Sequence, residues 1–342
     1  MIRRLRQRLK PEGARHIPWS PTGTNLTLDM FDRERTAKAA TAARKLERLY
    51  HKGQNLAWDG RKVLPELVEA HGGISLQGEK REAIRALFAV ILWGELAAWK
   101  ISTDLATHLE GLEAKMAATS QAHDEARHFY VMHDYLELLG DLPTELGPAT
   151  RRVLEGTLGA DTLAKKLLGM QMMIEPLALT LFQTVRARNF EPVLSDLMVY
   201  YERDEARHVA LGILHLPEML DGMSTAEGVD LWLWQIREYS AQFALLHELR
   251  WAFEILGVHP REVLALGREK QILAAKMLME ELGYKLPVVE WFRRMIDVRA
   301  ELEFPAPGQS TRRRARLRRA LGALRGTIDD VEGALSDVAE AA

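Results

Sequence analysis

From Asp32 onward apolar residues recur every three or four positions, and no sustained alternation of β-branched residues marks a strand. Ala, Leu, Glu, Lys and Arg dominate these stretches, all good helix formers, so an all-α protein is expected. Interruptions of the pattern mark the helix ends. Segments 32–52 and 60–71 come first, the second stopped at His71-Gly72-Gly73, where glycine suits a left-handed cap. Segments 79–110 and 112–139 form a long pair closed by Gly140 and the loop from Pro143 to Pro148. Segments 161–188 and 192–215 form another, interrupted near Asn189 and Pro192 and closed by Pro217. Segments 225–257, 260–283 and 287–303 follow, separated by Gly257, Pro260, Gly283 and Pro287. Helices of this length run to about 40 Å at the α-helical rise. Four of them predict a four-helix bundle with additional helices around it.

The ends break the pattern. Residues 1–30 carry Pro11, Pro18 and Pro21 with Gly13 and Gly23, and read as an irregular arm. Residues 31–304 read as one helical domain with its core at about 79–216, and 305–342 as a tail, basic from Arg312 to Arg325 and acidic from Asp329 to Glu340. That tail could meet anionic lipid, tRNA or an acidic partner, although pairing of its basic part with its own acidic continuation is the simpler expectation. Composition narrows the chemistry. Of 342 residues 47% are hydrophobic, enough to bury a substantial core. There is no cysteine, so disulfides, thiolate ligands and cysteine nucleophiles are excluded and any metal falls to His and carboxylate. A cytoplasmic protein is expected. The basic N-terminus leads into no apolar run of signal-peptide length, and no uncharged stretch reaches the ~18 residues of a membrane span. A formal net charge of -2 argues against a general nucleic-acid binder.

The chemistry lies in a repeat. Asp124-Glu125-Ala126-Arg127-His128 and Asp204-Glu205-Ala206-Arg207-His208 are identical words, and each has a Glu 30 residues upstream, Glu95 and Glu175. Residues at i and i+3 share a helix face, so Glu125 with His128, and Glu205 with His208, can reach one ion. Glu95 and Glu175 fall on the preceding helix of each hairpin, at a separation that brings all six groups to one level. A Glu from each of two helices plus Glu-x-x-His from each of the other two is the inward-facing set of dinuclear carboxylate bundles, and hard oxygens with one imidazole per ion suit iron or manganese. A single E-x-x-H is common on solvated helix faces. Two copies in register, with the upstream glutamates inside VILWGELAAW and MQMMIEPLAL, are not explained that way, because a carboxylate among apolar residues needs a partner. Asp124 is placed to accept from His208 and Asp204 from His128 across the hairpins, and Arg127 and Arg207 to hold these carboxylates in a charged network.

Glu95, Glu175 and the two DEARH words resemble the ferritin-like di-iron carboxylate superfamily. They are most similar to its oxygen-activating branch, which includes bacterial multicomponent monooxygenase hydroxylases and CoA-epoxidase subunits. The resemblance spans about residues 80–215. It implies one ion held by Glu95, Glu125 and His128, a second by Glu175, Glu205 and His208, and bridging by Glu125 and Glu205. It further implies two iron ions, or manganese with iron, O2 as co-substrate, electrons from a reductase or ferredoxin, and a homodimer. Leu179 stands where the hydroxylases carry an active-site Thr, and Met132 where a radical-generating ribonucleotide reductase subunit carries Tyr.

The expected function is therefore a dinuclear oxidase or monooxygenase acting on a small, apolar or aromatic molecule. The alternative is a ferroxidase, peroxidase or iron-handling bundle without an organic substrate; a third class is an RNA- or acyl-carrier-binding protein that uses the basic tail. No G-x-G-x-x-G follows a strand, so no flavin or nicotinamide site is expected. Gln121 and Gln171, one turn before Glu125 and Glu175, could bond a ligand or simply edge the core. Glu202 could be an extra ligand or lie exposed. Trp93, Trp99, Phe129, Met132, Leu168, Met172, Leu179 and Val209 flank the ligands at helical spacing and read mostly as core; if a cavity opens beside the metals, some of them would wall it. The Trp-rich stretch 231–254 reads as a covering helix or dimer face.

Overall fold

The computed structural model describes residues 33–140, 142, 145–221, 223–281 and 287–325. Residues 1–30, expected to be an irregular arm, and the acidic stretch from Asp329 lie outside the described residues. Helices α1 (Arg33–Leu56), α2 (Gly60–Ala70), α3 (Gly78–His108) and α4 (Leu112–Leu139) come first. Then follow α5 (Pro148–Leu158), α6 (Leu163–Leu167), a π-helical segment (Leu168–Ile174), α7 (Glu175–Arg188) and α8 (Pro192–Asp221). The chain continues with α9 (Thr225–Glu248), α10 (Arg250–Ile255), α11 (Pro260–Glu281), α12 (Pro287–Glu303) and α13 (Arg313–Leu324). Among the described residues there is no strand.

Two hairpins make the bundle. Helix α3 packs along α4, and α7 along α8, while α4 and α8 also meet. Helices α1 and α2 cover α4 and α8 on one side; α10 covers α3 and α11 covers α7 and α8 on the other, with α5 carrying α9. The interior divides in two. One apolar cluster takes Ile84, Leu87 and Phe88 of α3, Val131 to Leu139 of α4, and Leu194, Leu197 and Tyr201 of α8. The other takes Ile101 and Leu105 of α3, Ala114 to Ala118 of α4, and Leu211 to Leu216 of α8. Glu95, Glu125 and Glu205 fall between them on the same helices, so a polar layer crosses the bundle where the two apolar halves meet.

Four expected boundaries differ. Residues 149–158, to which the sequence assigned no element, are helical, with Pro148 at a first-turn position where its missing N–H costs nothing. The expected helix over 161–188 is divided by the π-helical segment. Helix α8 continues through Pro217 to Asp221, because the bond lost at Pro217 lies near the helix end and Leu216 is fully buried there. The expected helix over 225–257 breaks at Leu249. At the C-terminus, basic helix α13 packs on α12 through buried Ala320 and Ala323, with Arg319 Nε 2.7 Å from Glu301 and Arg316 donating to Leu302 O at 2.9 Å.

Candidate metal centre

The six predicted carboxylate and imidazole residues converge at one level and all are buried. Helix α3 supplies Glu95, α4 Glu125 and His128, and α8 Glu205 and His208. Glu175 opens α7, directly after the π-helical segment. There the N–H of Glu175 bonds Met170 O, five residues back instead of four, which widens one turn and sets where the carboxylate points. Met173 O accepts instead from Gln271 Nε2 at 2.8 Å, which ties α11 to this turn.

The two histidines define two positions. His128 Nδ1 lies 3.3 Å from Glu95 Oε2, 3.5 Å from Glu125 Oε2 and 3.2 Å from Glu205 Oε1. His208 Nδ1 lies 3.1 Å from Glu125 Oε1, 2.9 Å from Glu205 Oε2 and 3.9 Å from Glu175 Oε1. Glu125 and Glu205 thus each turn one oxygen to either position, while Glu95 and Glu175 serve one position each. Two groups, Glu95/Glu125/His128/Glu205 and Glu125/Glu175/Glu205/His208, each bring their ligand atoms within 4.8 Å of one another and can hold an ion.

Behind the imidazoles a second layer joins the repeats. Arg127 Nη2 donates to Asp124 Oδ1 at 2.5 Å and to Asp204 Oδ2 at 2.8 Å. Arg207 Nη2 lies 2.8 Å from Asp124 Oδ2 and 2.8 Å from Asp204 Oδ1. His128 Nε2 is 3.2 Å from Asp204 Oδ2, and His208 Nε2 is 3.4 Å from Asp124 Oδ2. Each Nδ1 is thereby turned toward the carboxylates. Trp58, between α1 and α2, donates from Nε1 to Asp204 Oδ2 at 2.7 Å and lies under the Arg127 guanidinium, 4.8 Å from its ring centroid. Nothing in its sequence surroundings marked it.

The repeat is not symmetric one turn upstream. Gln121 Nε2 donates to Glu125 Oε1 at 2.9 Å and to Glu175 Oε1 at 3.2 Å, and Gln171 Nε2 donates to Gln121 Oε1 at 3.1 Å. The counterpart of Gln121 is Tyr201. Its ring stacks on His128 with centroids 4.2 Å apart, and its hydroxyl donates to His128 O at 2.6 Å. Glu202 does not join the group: it pairs with Arg186 at 2.6 Å.

Electrostatics show what the cluster lacks. Burial, compounded by Glu205 and Glu125, raises the carboxyls of Glu95 and Glu175 well above the ordinary range. Against burial, His208 and His128 pull Glu125 down, and His208 foremost brings Glu205 to about 2. Burial alone would depress the imidazoles, yet Glu95 beside His128, and Glu125 beside His208, raise both well above their usual value. These shifts favour protons on the atoms that cations would take. Glu125 Oε2 and His128 Nδ1 are buried without a hydrogen-bond partner among the described residues, and they face each other. Asp124 and Asp204 balance Arg127 and Arg207, so once those protons leave, the four glutamates carry buried charge that two divalent cations would neutralise. The residues fit the ions.

An apolar cavity of about 150 Å³ reaches Glu95 and Glu175. The flanking residues are mostly core, as expected: Met132, Leu168, Met172, Leu179 and Val209 are buried. None of the eight flanking residues named from the sequence lines the cavity; Leu87, Ile91, Ala178, Phe243 and Leu246 do. Helix α9, which carries most of the Trp-rich stretch, is a cavity wall as well as a cover.

No family model matches the chain, and no curated protein matches it. Solved structures do. An R2-like ligand-binding oxidase variant with an aerobically reconstituted Mn/Fe cofactor is 18% identical, with a TM-score of 0.51 over 68% of this chain and 93% of that one. A variant with an Fe/Fe cofactor is 17% identical at a TM-score of 0.51, covering 68% of this chain and 92% of that one. The oxidase without metal cofactor is 18% identical at a TM-score of 0.51, covering 68% and 96%. The chain therefore has the ferritin-like, R2-type helical fold, with a buried carboxylate and histidine cluster suited to metal at its centre.

Proposed function

We propose that the protein is a dinuclear metal oxidase that activates O2 and oxidises a small, uncharged apolar or aromatic molecule. The carrying observation is the cavity: its walls are apolar, and it ends on Glu95 and Glu175, one from each ion position. In this reading Glu95, Glu125, His128 and Glu205 hold one ion, and Glu125, Glu175, Glu205 and His208 the other. Two iron ions, or manganese with iron, supply the electrons and the site for O2 reduction. The chain does the rest. Glu125 and Glu205 fix the spacing of the ions, and Asp204 and Asp124 orient the imidazoles so that Nδ1 coordinates. Gln121 holds Glu125 and Glu175 in place, while the apolar wall keeps water from the reacting face. Further electrons come from a reductase or ferredoxin, since the chain shows no flavin or nicotinamide motif.

The R2-like oxidases whose fold it shares carry Mn/Fe or Fe/Fe cofactors reconstituted aerobically, which supports the choice of metals. A ferroxidase without an organic substrate fits less well, because hydrated Fe(II) has no reason to enter an apolar cavity. Anaerobic loading with Fe(II), followed by O2 and an aromatic such as toluene, tests the proposal. It expects oxygen uptake that depends on bound iron, with an oxidised organic product. Iron oxidation with no product from any apolar candidate would favour the ferroxidase reading.

A further inference from the structure

A second apolar void lies behind the first. It measures about 190 Å³ and is lined by the π-helical segment, α8, α9, α11 and α12, with Met172, Leu216, Trp232, Ile272 and Phe292 among its walls. The two voids share two lining residues, Tyr239 and Gln271. Among the described residues only these two border both voids, and they differ in how they are held. Gln271 is buried, and its Nε2 donates to Met173 O at 2.8 Å and to Gln242 Oε1 at 3.2 Å. The Tyr239 hydroxyl makes no hydrogen bond among the described residues. Its ring rests on Phe292, with centroids 5.1 Å apart and planes at 50°. Tyr239 also sits on the seam of the molecule, packed against both apolar clusters. A buried amide with two hydrogen bonds stays where it is, because turning it would strand polar atoms. A phenol with none can change rotamer at the cost of its packing alone.

We propose that Tyr239 is a gate between an inner and an outer chamber, and that the substrate is an uncharged molecule whose ring or short chain fills the inner chamber while a linear alkyl tail passes Tyr239 into the outer one. The proposal rests on the oxidase reading and specifies its substrate class. Size sets the partition: a cavity of about 150 Å³ lined by aliphatic and aromatic side chains accommodates a benzene-sized molecule, so anything longer must leave the inner chamber. Charge sets the tail. Among the described residues no charged one lines the outer chamber. In the inner one the charged groups are Glu95, Glu175 and Arg268, and Arg268 is paired with Asp297 and Glu269.

Calorimetric titration of the metal-loaded full-length protein with n-alkylbenzenes, from toluene to octylbenzene, tests the gate without relying on turnover. Each added methylene should tighten binding roughly threefold to fourfold while it enters an apolar chamber. The wild type should gain over the first members, level off where the inner chamber is full, then gain again as the tail passes Tyr239. Tyr239→Ala should abolish the plateau and tighten the longest members about tenfold. Tyr239→Trp should end the gain at the plateau, and Tyr239→Phe should behave as wild type. Equal metal content and melting temperature across the variants establish that the fold is intact. Toluene binding with the same length profile in wild type, Tyr239→Ala and Tyr239→Trp would overturn the gate and leave the oxidase reading standing. Failure of every homologue, toluene included, would overturn both the gate and the organic-substrate reading, leaving the metal content as the test of the metal site.

Discussion

At the scale of single residues the repeat explains why the centre forms, and the exchange of Gln121 for Tyr201 one turn upstream makes the two halves differ. Gln121 offers both amide hydrogens to Glu125 and Glu175, and its orientation is fixed because Gln171 occupies its carbonyl. Gln121→Leu should weaken Fe(II) binding about tenfold, read by anaerobic competition titration, in keeping with the loss of an outer-layer partner of a ligand. Asp204 carries more. It meets His128, Arg127 and Trp58 at once, so Asp204→Ala strands an arginine and an imidazole in the interior. It should cost about 3 kcal/mol in urea unfolding of the metal-free protein, whereas Trp58→Phe, which removes one hydrogen bond, should cost about 1 kcal/mol. Proton linkage has a definite sign. His128, His208, Glu95 and Glu175 have raised values, so they hold protons that cations must expel. Metal affinity should therefore rise with pH, and loading in weak buffer should release about two or more protons per pair of ions. An affinity flat between pH 6 and 8 would contradict the ligand set.

At the scale of elements, much was legible because helices announce their ends chemically. Gly72 and Gly73, Asn189 with Pro192, and Pro260 each mark a boundary that the structure keeps, and Asn189 adopts the left-handed conformation at φ 45°. The π-helical segment was not legible. Its residues, Leu168–Ile174, are ordinary helix formers apart from Gly169, and the extra residue in the turn is decided by packing against neighbouring helices. Gly169 shows how tight that packing is: a Cβ there would lie 2.7 Å from the Trp234 ring and 2.8 Å from Thr157 Cγ2. Gly169→Ala should therefore push the turn away from α9 and α5, lower stability by about 1–3 kcal/mol, and reduce metal at the position served by Glu175. Thermal unfolding and metal analysis of the one variant read both effects. The helix at Pro148–Leu158 was not assigned from the sequence, and its Gly156 is a poor helix former. Gly156 leaves room for Glu238, whose carboxylate occupies the space a Cβ would take.

At the scale of the whole molecule, a bundle split into two apolar clusters by a layer of four buried glutamates is an arrangement that folding alone does not favour. Buried charge must be compensated, and the compensation available to the aspartates, two arginines, is not available to the glutamates. The candidate ligands were readable because duplication wrote them twice in one register. The cavity was not, since it is walled by the covering helices α9, α10 and α11, whose approach to α3 and α7 leaves no periodic signal. Metal content per chain, by plasma mass spectrometry on protein expressed with iron and manganese, beside Glu125→Ala/Glu205→Ala, is the most direct test. About two metal ions per chain in the parent and far fewer in the double variant is the expected result; no bound metal even after anaerobic Fe(II) loading would contradict the dinuclear centre itself.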